Sequence, residues 1–496
     1  MPAKAIMIQG TGSHVGKSLL ATALCRIFVQ EGYRVLPFKA QNMSNNSFVT
    51  GEGREISRAQ AEQAKACKVE PSVRMNPILL KPTTDVGSQV VLLGKPIGNL
   101  IASEYESFKP RLSAAVKGAL HGLMEEAEIV VIEGAGSPAE INLKEHDLVN
   151  MWVAKEAQAK VLLVGDIDRG GVFAQLVGTM DLLDETEKGL VRAFLINKFR
   201  GDYALLESGI RWLEKRCGVP VLGTIPYLRD VRLAQEDTPS QRDFAGEAAA
   251  DKVRVEVIQL PRMSNFTDFD SLAQDPDVQL SFVDRPSLDA VPDCVILPGS
   301  KSTIADLAFV RAQGFDRCVR RWLESGTEIV GICGGFQMLC RQILDPEHVE
   351  ATVSAAPGLG LLPGVTLFHQ GKTVARVRGV HLESGLPVTG YEIHMGQMKV
   401  EEGAASVFKF TQRGESPAEI YDGSSVSGGR IWGTHLHGLF DEPGFRSWWL
   451  NRLRRRRGLE VRSDAPGNPG DLYDRLADTV RPHLNLELLR QILELT

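Results

Sequence analysis

Gly10-Thr11-Gly12-Ser13-His14-Val15-Gly16-Lys17-Ser18 follows the apolar run Ala5-Ile6-Met7-Ile8 and leads into a helical pattern from Lys17 to about Gln30. A buried strand, a glycine-rich turn and a helix N-terminus in this order make a phosphate cradle. The glycines let backbone N–H groups turn toward phosphate oxygens, and the helix dipole adds positive potential. Lys17 is spaced to reach the outer phosphates, and the Ser18 hydroxyl is spaced to ligate magnesium. The strict pattern has glycine at position 11; this chain has Thr11 there, between Gly10 and Gly12. The expected ATP contacts are Gly10, Thr11, Gly12, Val15, Gly16, Lys17 and Ser18.

Further strand-length runs follow at 34–38, 128–132, 160–164, 193–196 and 220–222. They are apolar without alternation and are separated by helical patterns, which indicates a parallel sheet covered on both faces. The first fold is therefore doubly wound α/β. Ligands of such sheets lie beyond the carboxyl ends of the strands. Glu133 ends one strand, and Asp166 with Asp168 ends another, so Glu133 and Asp166 are the candidate magnesium carboxylates beside Ser18. Asn197, followed by Lys198, ends a third strand and is a candidate to frame the adenine.

Between about 231 and 252 the sequence turns polar and loses periodicity, which reads as a linker. The expected division is a phosphate-loop domain over 1–232, a linker over 233–250, a second α/β domain over 251–445 and a helical tail over 446–496. The second domain opens with a strand at 253–260, and further strands are expected at 294–297 and 328–332.

Composition narrows the class. The 496 residues are 43% hydrophobic and 24% charged, with a formal net charge of -6. Such a chain carries no global field for nucleic acid. The run from Arg452 to Arg457 reads as a solvated helix face rather than as a nucleic-acid or membrane arm. Seven cysteines without paired short spacing argue against a disulfide framework or zinc site and suit a reducing, cytoplasmic setting. No signal peptide or membrane-length apolar run is expected.

Gly331-Ile332-Cys333-Gly334-Gly335 supplies a second site. A nucleophile framed by glycines at a strand-to-helix turn has the logic of an elbow. The Gly334 N–H is placed to stabilise an oxyanion, and the helix N-terminus favours thiolate. Gly433-Thr434-His435-Leu436-His437-Gly438 supplies the base. His437 is the candidate, and His435 alternates to the opposite face. The loop at Gly299 suits a second oxyanion donor.

These residues carry a resemblance. The second half resembles class I glutamine amidotransferase domains of flavodoxin-like fold, with Cys333 as nucleophile, Gln337 at the glutamine-contacting position and His437 as base. Those domains usually carry glutamate two residues after the histidine; here it is Leu439, a departure shared with the cobalamin-pathway branch. The first half is similar to the dethiobiotin-synthetase type of phosphate-loop fold. In this order the halves resemble the glutamine-hydrolysing cobyric acid synthase family. Similar stretches include 38–47, 76–82, 166–173, 197–201, 297–301 and 390–394. The resemblance implies a corrinoid whose b, d, e and g carboxylates become amides, with ATP, magnesium and glutamine, and with no nucleic acid or membrane partner. Gln41 and Asn42 are assigned to the corrinoid side. The alternatives are the related a,c-diamide synthase and a regulatory phosphate-loop ATPase with an inactive partner domain; the intact Cys333 and His437 argue against the second. With Leu439 in place of the acid, a poor stand-alone glutaminase is expected.

Overall fold

The computed structural model describes residues 3–83, 87–144, 147–228, 251–287, 291–462 and 471–495. The linker expected at 233–250 lies outside the described residues.

Strand Lys4–Gly10 is the centre of the first sheet. The spatial order is Val221–Pro226, Val191–Phe199, Lys160–Asp166, Lys4–Gly10, Ile129–Glu133 and Val35–Phe38, and every neighbouring pair is parallel. Ile6, Met7 and Ile8 are fully buried, as strands covered on both faces must be. After Val35–Phe38 the chain returns beside the central strand as Ile129–Glu133, then crosses to its other side as Lys160–Asp166. The central strand is thus a topological switch point, where a crevice opens. Its register sets Ile8 beside Glu133 and Gly10 beside Val164. The loop after Gly10 therefore emerges between Glu133 and the end of the Lys160–Asp166 strand.

Residues 41–101 build a part not expected from the sequence. Strands Gln41–Met43, Ile78–Pro82, Gly87–Leu92 and Lys95–Ile101 form a small sheet, and Ser47–Val49 pairs with Glu55–Ser57 as a hairpin. Their apolar stretches are only about three residues long, as in Ile78-Leu79-Leu80 and Val90-Val91-Leu92, so they did not stand out as strand-length runs.

The second domain has the strand order Val278–Val283, Val253–Ile258, Cys294–Leu297, Glu328–Ile332, Ile431–Thr434 and Ser424–Val426. Only the last pair is antiparallel. Beside it lies a mostly antiparallel sheet built on the hairpin of Gly364–His381 with Pro387–Val400. That sheet was also missed. Its long strands are half exposed and carry charges on the wet face, so they read as loop.

The C-terminal residues do not form a separate tail. Helix Pro443–Arg456 crosses the expected boundary at 445 and buries Phe445, Trp449, Leu450 and Leu453 in the core of the second domain. Helices Leu472–Val480 and Leu486–Leu493 return to the first domain. There Leu476, Ala477, Val480, Leu489 and Leu493 pack with Leu20, Leu24, Ile27 and Phe28 of helix Lys17–Gln30. Each such side chain contributes about 1.5–3 kcal/mol by burial, and Asp471 pairs with the buried Arg26 at 2.8 Å. The arginine-rich run is not a solvated face either. Arg452 and Arg456 pair with the buried Glu328, Arg454 reaches Asp277, and Arg457 pairs with Asp293. The charges brace this helix against the sheet.

Candidate active site

The loop after Gly10 has the conformation its glycines allow. Gly16 takes a φ of +100°, and a Cβ there would lie 2.1 Å from Asn197 Nδ2. Asn197 itself donates to Val15 O at 2.8 Å, so it clamps the loop backbone. The Thr11 N–H donates to Val164 O at 2.9 Å, which ties the loop to the neighbouring strand and takes that amide away from a phosphate. Lys17 Nζ bridges Gly12 O at 2.8 Å and Gly136 O at 3.0 Å.

Ser18 Oγ donates to Glu133 Oε1 at 2.8 Å. Glu133 also receives Lys39 Nζ at 2.8 Å and the Gln63 amide. Burial alone would raise this carboxyl; Lys39 and the donors around it hold it below the usual range. Among the described residues no group of three or more His, Cys, Asp or Glu is set to hold a metal. One hydroxyl and one carboxylate suit magnesium, which keeps several waters and phosphate oxygens. Asp166 accepts the Asp168 N–H and pairs at 2.8 Å with Lys198 of the neighbouring strand, which also donates to His14 O in the phosphate loop; Glu133, not Asp166, is the carboxylate in contact with Ser18.

Cys333 follows strand Glu328–Ile332 with φ 50° and ψ -106°, a strained turn at the N-terminus of helix Gly334–Leu339. The glycines around it are required by packing. A Cβ on Gly335 would lie 1.9 Å from Leu297 O, and one on Gly334 would lie 2.7 Å from Ser300 N. The loop of Gly299 and Ser300 is thereby pressed against the elbow, which brings both expected oxyanion donors to one place. A Cβ on Gly299 would lie 3.1 Å from His437 Cε1. Gln337 is buried and donates to Gly396 O at 3.0 Å.

His437 is fully buried, and its third partner exists. Asp268 Oδ2 lies 2.7 Å from His437 Nδ1, and Asp268 Oδ1 accepts the Gly438 N–H at 2.8 Å. Burial would lower this imidazole; the Asp268 carboxylate and the adjacent Cys333 overcome that and push it up to about 10. The orienting acid that Leu439 cannot supply therefore comes from the 3-10 turn Phe266–Phe269. The sequence carried one sign of it: Asn265-Phe266-Thr267-Asp268 is a polar turn directly after a strand and loop, but nothing in one-dimensional spacing ties it to His437. As expected, His435 faces elsewhere. It pairs with Asp422 at 2.8 Å and stacks on His394 with ring centroids 4.2 Å apart.

A buried polar seam leads from the phosphate-loop site to the domain boundary. From Glu133 it passes to Gln63, then to Gln60 on the same helix face. Asn42 donates to Gln60 Oε1 at 3.1 Å and to Ser57 Oγ at 2.6 Å, so Asn42 lies inside the seam, while the neighbouring Gln41 is partly exposed. Two residues from Ser57, the buried Glu55 binds Lys81 and, across the domain boundary, Lys372. Burial lowers the Lys81 ammonium against the pull of Glu55.

Comparison with known proteins agrees with both halves. Residues 6–239 match the CobQ/CobB/MinD/ParA nucleotide binding domain, and residues 254–445 match the CobB/CobQ-like glutamine amidotransferase domain. A cobyric acid synthase of Pelotomaculum thermopropionicum is 49% identical over 510 residues, covering 99% of this chain and 97% of that protein. One of Dehalococcoides mccartyi is 47% identical over 499 residues, covering 99% of each. One of Moorella thermoacetica is 49% identical over 512 residues, covering 99% of this chain and 98% of the relative. Since these relatives are 47–49% identical over 99% of the chain, and both domain types match, the chain belongs to the cobyric acid synthase family.

Proposed function

We propose that this enzyme converts the b, d, e and g carboxylates of a corrinoid a,c-diamide to amides, using ATP and glutamine. The observation that carries the reading is the pair of sites in one chain, a phosphate loop and a glycine-framed thiol with its base.

Lys17 and the loop amides hold the ATP phosphates while a corrinoid carboxylate takes the terminal phosphoryl group, giving an acyl phosphate and ADP. Ser18 and Glu133 are the residues that would hold magnesium. When bound, that ion neutralises charge developing on the phosphates. In the second domain the Cys333 proton passes to His437 Nε2, and the thiolate attacks the glutamine carbonyl. Asp268 holds Nδ1–H and stabilises the imidazolium. The Gly334 N–H, with the Gly299 loop, is placed for the oxyanion. His437 returns the proton to the departing ammonia, and water releases glutamate from the thioester. Ammonia then displaces phosphate from the acyl phosphate. Ammonia in bulk water at neutral pH is mostly protonated and unreactive, so an internal path between the two sites suits the chemistry. The partly exposed Gln41 is our candidate for the corrinoid side. The seven free thiols fit a cytoplasmic setting.

The test is a spectral titration with corrinoid a,c-diamide, followed by mass analysis after turnover with ATP, magnesium and glutamine. Stepwise carboxylate-to-amide conversion is expected. Turnover of the corrinoid that still lacks its a and c amides, and not of the diamide, would overturn the assignment.

A further inference from the structure

The base of the glutaminase is in direct contact with a residue held by the other domain. Asn265, at φ 52°, precedes the turn that carries Asp268. Its Nδ2 lies 3.1 Å from His437 Nε2, while its Oδ1 accepts the Ser47 N–H at 2.9 Å. A backbone N–H can only donate. Ser47 therefore fixes which end of the amide faces the imidazole, and the end that faces it is a donor.

That donor competes with catalysis. Asp268 on Nδ1 keeps the proton there, so in the neutral ring Nε2 holds the lone pair. Taking the Cys333 proton requires that same lone pair. An amide donating into Nε2 favours the neutral ring beside a neutral thiol. Cys333 and Asp268 favour the opposite state, imidazolium beside thiolate. The balance between the two depends on whether Asn265 stays docked.

The dock belongs to the ATP domain. Besides Ser47, the Asn265 N–H reaches Asn45 O at 3.4 Å, and Thr267 Oγ1 donates to Asn46 Oδ1 at 3.0 Å. On the imidazole's face, Tyr391 stacks with its ring centroid 5.3 Å away, and Phe48 meets Tyr391 edge-on at 5.7 Å. Residues 45–48 thus touch two neighbours of the base. The same segment adjoins the seam, since Ser47 Oγ donates to Glu55 at 2.8 Å, and Asn42 begins the path toward Glu133.

We propose that Asn265 is a positioning residue that caps Nε2 of His437 and holds the glutaminase idle until residues 45–48 shift on loading of the ATP domain. Release of the cap lets the Cys333 proton pass to Nε2, so the only covalent change is S–H broken and N–H formed. A ligand can drive this only by binding the uncapped arrangement better than the capped one. The inference rests on the amidoligase reading for the identity of that ligand.

The experiment measures glutamate release and iodoacetamide labelling of Cys333 in the full chain, with no ligand, with ATP and magnesium, and with ATP, magnesium and corrinoid a,c-diamide. The parent should be slow without ligands and faster with all three. Asn265→Ala should release glutamate and label Cys333 about five- to tenfold faster without ligands, the size that one hydrogen bond supports. It should also lose most of the response to ligands. Thr267→Val, which removes one interdomain hydrogen bond and leaves His437 untouched, should shift both readouts in the same direction by less. Unchanged labelling in both variants, or slower glutamate release in Asn265→Ala with unchanged labelling, would overturn the proposal. If the parent ignores the corrinoid while Asn265→Ala is still faster than the parent without ligands, the cap stands and the substrate assignment falls.

Discussion

Asp268 Oδ2 lies 2.7 Å from His437 Nδ1, although the two residues are 169 positions apart in the chain. The acid sits on a turn at the domain interface, not on the strand-loop that carries the base. It orients the imidazole, and its own turn is docked on the ATP domain. Orientation of the base and contact with the other domain are thereby properties of one short element.

Asp268→Asn should lower glutamine-driven turnover by roughly 10²–10⁴-fold, because the base loses its tautomer control and the partner of its cation. The pH profile supplies the second readout. His437 is raised from 6.5 to about 10 by Asp268 and Cys333 against the effect of burial. Its charged form, and the stability it adds, is fully present below 6.5 and is lost as pH rises through about 10. Removing the carboxylate should move the alkaline limb of glutaminase activity to lower pH. An unmoved limb would remove Asp268 from the base's environment.

Cys333→Ala should abolish amidation driven by glutamine and leave amidation driven by ammonium salts. Loss of a covalent nucleophile costs several powers of ten, whereas the phosphate loop lies on a separate sheet. Assay with both nitrogen sources decides it, and retained glutamine-driven activity would point to another nucleophile.

Lys17→Ala should instead fail with both nitrogen sources, since activation of the carboxylate precedes attack by ammonia from either. Lys17 Nζ is held at the mouth of the loop by Gly12 O and Gly136 O, placed to offset charge on a transferring phosphoryl group. Near-parental activity with ammonium salts would place activation elsewhere.

Leu476→Ala should lower stability by about 2–4 kcal/mol. Leu476 is fully buried on helix Leu472–Val480 against the helix that begins at Lys17. Urea unfolding of the parent and the variant measures the loss. A change no larger than that of an exposed substitution would mean that the C-terminal helices contribute little to the ATP domain.

Glu256→Gln tests the cost of a half-buried acid on strand Val253–Ile258. Burial pushes its carboxyl up to about 7 against the pull of Arg254. A raised acid is mostly neutral in both states at pH 4, costs stability progressively as pH rises from 4.5 to about 7, and carries the full cost above that. The variant should be more stable than the parent by about 1 kcal/mol at pH 8, after allowance for solvent screening, and equal to it at pH 4. Equal stability at both pH values would count against the shift.

Much of this molecule was legible in its sequence. The helix starting at Lys17, the strands at 294–297 and 328–332, the phosphate loop and the elbow at Cys333 all depend on residues adjacent in the chain. Their signals are local: apolar runs for strands covered on both faces, glycines where the backbone turns sharply, and a lysine or cysteine at a fixed offset. Identity across both domains then placed the whole chain in its family. Only the tertiary structure decided which distant groups meet. Asp268 reaches His437 because a turn after one strand folds over the end of another, and no spacing rule encodes that. Asn197 holds Val15 O, and Asn42 lies within a buried seam, because neighbouring strands set their register. Leu476 serves the first domain from the far end of the chain. Arg452 and Arg456 are spent on one buried glutamate instead of on solvent. Burial and ion pairing are properties of surfaces brought together in space, and a residue's chain position does not record them.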